Sequence, residues 1–241
     1  MKRCLIGLAS LVLCVVSLLS AVASLDSPPP KDAEFTYARI RFHMTSDAIF
    51  VREVPWHHDY PYGDEAFPSF LKEVSRVHTE SNAFQIVDID SPELFKYPFA
   101  YLCEPGYLEL NDKDVKNLRE YLERGGFIMV DDFRGQRHLS NLVYQMKKVF
   151  PNRNIIPLTI NHPIFHSFYD IDTLDMRPPY GPGPVEFLGL EDDHGRLMMV
   201  IDYNNDLSEF WESIDRGEMS MRDAATSLKF GMDYAMYAFS H

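Results

Sequence analysis

The stretch "NDKDVKNLREYLERGGFIMVDDFRG", residues 111–135, decides the fold class. Asn111 or Asp112 reads as an N-cap, since a short polar side chain there accepts from the free N–H groups of a first helical turn. Val115, Leu118, Tyr121 and Leu122 recur at helical spacing and mark one apolar face. Gly125 or Gly126 ends the helix in the left-handed conformation that a side chain disfavours. Phe127 to Val130 is a continuous apolar run, the pattern of a strand covered on both faces. Two adjacent aspartates, Asp131 and Asp132, stand where that strand ends.

Working outward, Tyr37 to Phe42 alternates as a first strand. Asp64 is expected to cap a helix running to about Thr79, with Phe67, Phe70, Leu71, Val74 and Val77 on one face and Pro68 near its first turn. Phe84 to Val87 and Pro98 to Cys103 read as strands, with a capped helical turn over Ser91 to Phe95 between them. Beyond the opening stretch come a helix over Leu139 to Phe150 and a strand-like Ile155 to Leu158. Residues 177–184, "RPPYGPGP", are a turn-rich insertion. Val185 to Leu190 and Arg196 to Tyr203 flank "EDDHG" as a hairpin. Asp206 to Ile214 is a short helix. Ser220 to Phe239 is the last, with Ser220 and Asp223 spaced as a capping box. Strands alternating with helices predict an α/β fold: a flavodoxin-like three-layer sandwich with a mostly parallel sheet, plus a C-terminal β-hairpin and helix.

The ends set the expected address. Met1-Lys2-Arg3 is basic, Cys4 to Leu19 is almost wholly apolar, and Ala21-Val22-Ala23 suits cleavage before Ser24. That is the anatomy of a secretory signal over residues 1–23, so the protein is expected to be exported, periplasmic or secreted. An uncleaved N-terminal anchor is the alternative and the only membrane contact foreseen. Residues 24–34 form a Pro-rich tether, and 35–241 one domain. The 241-residue chain carries a formal net charge of −13, more negative still once Lys2 and Arg3 leave. Such a surface repels phosphates, which argues against nucleic acid. Of the three cysteines only Cys103 lies outside the leader, which excludes an internal disulfide and a four-cysteine zinc site.

The run "FKYPFAYLCEPGYLELNDKDVKNLREYLERGGFIMVDDFRG", 95–135, resembles the class I glutamine amidotransferase-like superfamily, including its trehalose-utilisation-type relatives. Within it the chain is most similar to the bacterial family of domains of unknown function numbered 4159. The pieces that carry this are "DYP" at 59–61, "LFKYPFAYL" at 94–102, "LREYLERGGFIMVDDFRG" at 118–135, "HPIFHSFYDI" at 162–171, "GRLMMVIDYNNDL" at 195–207 and "YAMYAFSH" at 234–241. The resemblance implies a nucleophilic cysteine after the Gly-Gly strand, and here Asp131-Asp132-Phe133 occupies that place. Carboxylates are poor nucleophiles toward amides, so cysteine-dependent amidotransferase chemistry is expected to be absent. The resemblance also implies a cell-envelope protein partner.

In open parallel sheets, ligands sit beyond the carboxyl ends of the strands. The residues expected at that rim are His57, Asp59 and Tyr60 from "EVPWHHDYPYGDE", 53–65, Glu104 and Gly106 after the second central strand, and Asp131, Asp132, Phe133 and Arg134. His58 stands beside His57, and adjacent histidines rarely both point inward. Aromatic rings, imidazole and carboxylate together suit a small polar ligand. Asp131 and Asp132 with His162 suit a divalent metal, provided a bend brings the two aspartates to one side. The alternative is that one aspartate caps a turn and the other pairs with Arg134 or Arg137. The two functions that follow are a non-catalytic module binding a small ligand or an envelope protein, and a metal-assisted hydrolase. His138 and His194 read as surface residues.

Overall fold

The structure is a computed structural model that describes residues 32–241 apart from Pro182, Asp215 and Glu218. The signal segment expected over residues 1–23 and most of the expected tether lie outside the described residues. The strands are β1 (Tyr37–Arg41), β2 (Phe84–Asp88), β3 (Phe99–Cys103), β4 (Phe127–Phe133), β5 (Ile156–Pro157), β6 (Glu186–Glu191) and β7 (Leu197–Tyr203). The helices are α1 (Tyr62–Val74), α2 (Asp112–Glu123), α3 (Gly135–Val149), α4 (Leu207–Glu212) and α5 (Met221–Ser240). Among the described residues no helix is long and apolar enough to cross a membrane.

All seven strands form one sheet in the order β2-β1-β3-β4-β7-β6-β5. The first five in that order run parallel; at one edge β6 pairs antiparallel with β7, and β5 antiparallel with β6. The C-terminal hairpin is therefore not an addition to the sheet. Its second strand, β7, lies beside β4 and completes the parallel core, which is why Leu197–Tyr203 is buried throughout.

Alternation along the strands sends residues to two different cores. Ile40, Leu102, Ile128 and Val130 pack with Leu118 and Leu122 of α2 and Leu142 and Met146 of α3. Tyr37, Phe99, Tyr101 and Phe127 pack with Phe67 of α1, Trp211 of α4 and Phe230 of α5. One face is chiefly aliphatic and the other aromatic. Each fully buried large side chain contributes about 1.5–3 kcal/mol. Gly231 lets α5 approach: a Cβ there would lie 2.6 Å from Phe67 Cε2 and 2.8 Å from Trp211 Cζ3.

Local chemistry fixes most element ends. Asn111 accepts from the N–H groups of Lys113 and Asp114, and Asp114 accepts in return from Asn111 N–H, a closed capping box. Gly125 follows the helix at φ 106°. Ser91 accepts from Glu93 N–H, and Ser220 from Asp223 N–H. Four boundaries differ from expectation. α1 begins at Tyr62, so Pro68 falls in its second turn, and Asp64 lies inside the helix rather than capping it. α1 also ends at Val74, where Ser75 turns extended and its hydroxyl bonds back to Leu71 O at 2.5 Å. α3 starts at Gly135, directly after Arg134, and β4 runs on through both aspartates.

Candidate functional site

Between Val130↔Ile201 and Phe133↔Tyr203 the pairing of β4 with β7 slips, so two aspartates stand opposite the single Asp202. The extra residue makes a β-bulge, and Asp132 takes the left-handed conformation at φ 53°, a place usually given to glycine. This is the bend the aspartate pair required, and it separates the two carboxylates instead of joining them.

Asp131 turns inward and is fully buried. Its Oδ1 accepts from Leu207 N–H and its Oδ2 from Ser208 N–H, both at 3.0 Å. It thus holds the first turn of α4 against the sheet, with both oxygens engaged. Burial pushes its carboxyl up to about 7, and those two N–H groups pull the other way. The capping alternative describes Asp131, not Asp132.

Asp132 faces the crevice, 2.7 Å from His58 Nδ1. Asp59 lies 3.3 Å and Glu104 3.9 Å from the same nitrogen, and Glu53 3.7 Å from Nε2. The hydrogen bond to Asp132 raises the His58 imidazole to about 9 against its partial burial. Desolvation first, then neighbouring carboxylates, pushes Glu104 up to about 7; Asp59 is raised to about 6 chiefly by desolvation. Asp206 and Glu209, at the start of α4, bring carboxylate oxygens within 4.8 Å of Asp59 and of each other. Burial and the charges of Asp132 and Asp131 also hold Asp206 well above the carboxylate range.

Buried Arg39 on β1 positions the loop that carries His58. It grips Asp64 of α1 through Nε and Nη2, one edge of the guanidinium, at 2.7–3.1 Å. Its Nη1 donates to the carbonyls of His58 at 3.0 Å and Trp56 at 3.3 Å, and to Cys103 Sγ at 3.1 Å. Cys103 is itself buried and donates to Pro55 O, and its burial pushes the thiol well up. It is held in a packed hydrogen-bonded position, unlike an activated nucleophile.

The other residues expected at the rim divide. His57 does not enter the site: its ring packs against Trp56 and Tyr60, with centroids 5.1 and 4.8 Å away. Its neighbour His58 points inward, so that choice between adjacent histidines is reversed. Tyr60 supports the loop from beneath the Arg39 guanidinium, 5.8 Å from its ring. Gly106 is a packing position, because a Cβ there would meet His138 Cγ at 2.2 Å. That contact also makes His138 more than a surface residue. Phe133 faces the core beside Tyr203. Arg134 does reach the crevice. Its Nε donates to Tyr180 O at 3.2 Å, and its Nη2 lies 4.0 Å from Asp206 with no hydrogen-bond partner among the described residues. His162 is at the wrong end of the sheet for a site with the aspartates. Its ring is 6.1 Å from Tyr237, whose hydroxyl accepts from Leu197 N–H at the start of β7. The length of a seven-residue strand, about 20 Å, separates it from Asp132.

His58, Glu104 and Asp132 each offer a ligand atom, all within 4.8 Å of one another. One imidazole with two carboxylates is the donor set of a divalent ion of borderline softness. The family profile for the domain of unknown function DUF4159 matches residues 39–239, a span that includes every residue of this cluster. The chain belongs to the DUF4159 family. No curated protein matches it. Reasoning from sequence missed four contributors to the crevice of this DUF4159 domain: Glu53, His58, Asp206 and Glu209. For Asp206 the available signal was its place as N-cap of α4, which puts it at a strand's carboxyl end.

Proposed function

We propose that this DUF4159 domain is an exported, amidotransferase-like protein whose carboxyl-end crevice binds a divalent cation instead of supporting thiol chemistry. The five parallel strands follow the order second, first, third, fourth, fifth when β7 is counted fifth, and helices cover both faces. That supports a flavodoxin-like three-layer sandwich and puts the ligand crevice at the switch point between β1 and β3. The observation that carries the reading is the convergence of Asp132, Glu104 and Asp59 on His58, each at a left-handed φ of 44–59°. Backbone in that region is costly outside glycine, and clusters of it mark ligand clamps and catalytic sites. The crevice is also short of positive charge. Six carboxylates (Glu53, Asp59, Glu104, Asp132, Asp206 and Glu209) surround His58 and Arg134, and a bound cation offsets the excess.

The resident ion would be held by His58, Glu104 and Asp132, and it would let the domain take a small polar or anionic ligand despite its acidic rim. Metal-assisted hydrolysis is the second reading, favoured by the place of Asp132 on the strand-to-helix elbow before α3. Calorimetric titration of the chain with Zn²⁺ and Mn²⁺ tests both. Roughly one ion per chain is expected, lost in Asp132→Asn and kept in His162→Ala. Equal binding by wild type and Asp132→Asn would contradict the site. Turnover of ester or phosphoester probes only when metal is bound would select the hydrolase.

A further inference from the structure

Away from the Asp132 cluster, α1 and α4 enclose a groove of about 490 Å³, walled by Tyr62, Glu65, Ser69, Phe70, Trp211 and Glu212. Trp211 is only 1% exposed. Its six-membered ring is sunk in the aromatic core against Gly231 and Phe67. Its nitrogen edge turns the other way, toward α1: a Cβ on Gly63 would lie 3.3 Å from Trp211 Nε1 and 3.9 Å from Glu212 Oε2. Neither of those two atoms has a hydrogen-bond partner among the described residues, although both are shielded from solvent. A donor and an acceptor, both unpaired, therefore lie beside Gly63 on two residues that line the groove. Buried polar groups are ordinarily paired, so such a couple points to an occupant.

The chemistry of the couple narrows that occupant. An ammonium ion can only donate, and would leave the indole N–H unsatisfied. A carboxylate or phosphate can only accept, and would face Glu65, Glu73 and Glu212, with Arg216 the single cation among the described lining residues. A hydroxyl does both at once: its oxygen accepts from Trp211 and its hydrogen goes to Glu212. The partly buried Phe70 supplies flat apolar surface for a ring's C–H face, beside Tyr62, which is 56% exposed and carries the Arg216 guanidinium 4.6 Å from its ring centre. Ser69 and Glu65 add polar groups along the rim. We infer that this groove is a second ligand site, separate from the acidic crevice, for a neutral polyhydroxylated ligand of the saccharide class.

The test reads the Trp211 indole N–H directly. The chain has two tryptophans, Trp56 and Trp211, so a ¹⁵N-labelled sample gives two indole signals, assigned with Trp211→Phe. Glucose, N-acetylglucosamine and, as a cation control, putrescine are titrated in turn. A saturable shift of the Trp211 signal with a sugar is expected, with the midpoint raised at least ~10-fold in Glu212→Ala and in Gly63→Ala. Putrescine and Zn²⁺ should leave that signal in place, which separates this site from the metal crevice. No sugar-dependent shift up to ~100 mM in the folded chain would overturn the inference. So would a shift unchanged in both variants, or one that saturates with putrescine in place of sugar.

Discussion

The two ends of the parallel sheet solve the same backbone problem with different residues. At the amino end the chain turns into β4 and β7 through Gly125 at φ 106° and Gly195 at φ 79°. A Cβ at either would meet nothing within 4 Å, so glycine is there for its backbone freedom alone. At the carboxyl end, Asp59, Glu104, Asp132 and Asn204 take left-handed conformations at φ 44–59°, and they are the only non-glycine residues to do so among those described. Three of the four aim carboxylates at one histidine. Where only a turn is needed, the chain uses glycine. Where a side chain is needed, it accepts strain.

Tests that sharpen this contrast begin with the support beneath the rim. Asp64→Asn leaves Arg39 buried with its charge unpaired and frees the His58 loop, so urea unfolding should show a loss of about 3–5 kcal/mol. Asp131→Asn replaces an acceptor with an amide that cannot accept both α4 N–H groups, for a loss of about 1–3 kcal/mol in the same assay. At the opposite end, Gly125→Ala has space but the wrong conformation, and should cost about 1–2 kcal/mol. The matching change on the rim has the opposite sign: Glu104→Gly should stabilise the metal-free chain, by about 1 kcal/mol. Glu104 precedes Pro105, which restricts its backbone further.

The acidity of the rim adds a pH signature. Glu104, Asp59 and Asp131 all have folded values above their unfolded ones, near 7, 6 and 7. The folded state therefore holds these protons more tightly, and the groups become increasingly unfavourable as pH rises from about 4 to about 7. His58, raised to about 9, contributes stability that is complete below its unfolded value and is lost as pH rises through about 9. Both effects have one direction. The melting temperature of the metal-free chain should fall steadily from about pH 5 to pH 9, and Zn²⁺ should restore most of it at the alkaline end. A maximum near pH 7 without metal would contradict the excess of carboxylate.

Much of the fold was legible because its signals are local. The Asn111 cap, the Gly125 stop and the apolar runs of β3 and β4 depend on neighbours in sequence. The insertion of β7 beside β4 was not, because a buried strand reads the same in a hairpin as in a parallel core. The site was partly legible. Asp132, Glu104 and Asp59 were placed at the rim by the rule for strand ends. Which of His57 and His58 turns inward depends on Arg39 gripping the His58 and Trp56 carbonyls across the sheet, a long-range contact with no local trace. The division of labour between Asp131 and Asp132 rests on a bulge set by pairing with β7. His162 was misplaced because its short turn sits at the sheet's other end.

The most direct measurement is Glu104→Gly, read twice on one preparation: by urea unfolding without metal, and by Zn²⁺ titration. The expected result is a chain more stable by about 1 kcal/mol that binds Zn²⁺ at least ~10-fold more weakly. A variant that is less stable, or one that binds Zn²⁺ as wild type does, would contradict the claim that the rim bears its strain to hold a cation.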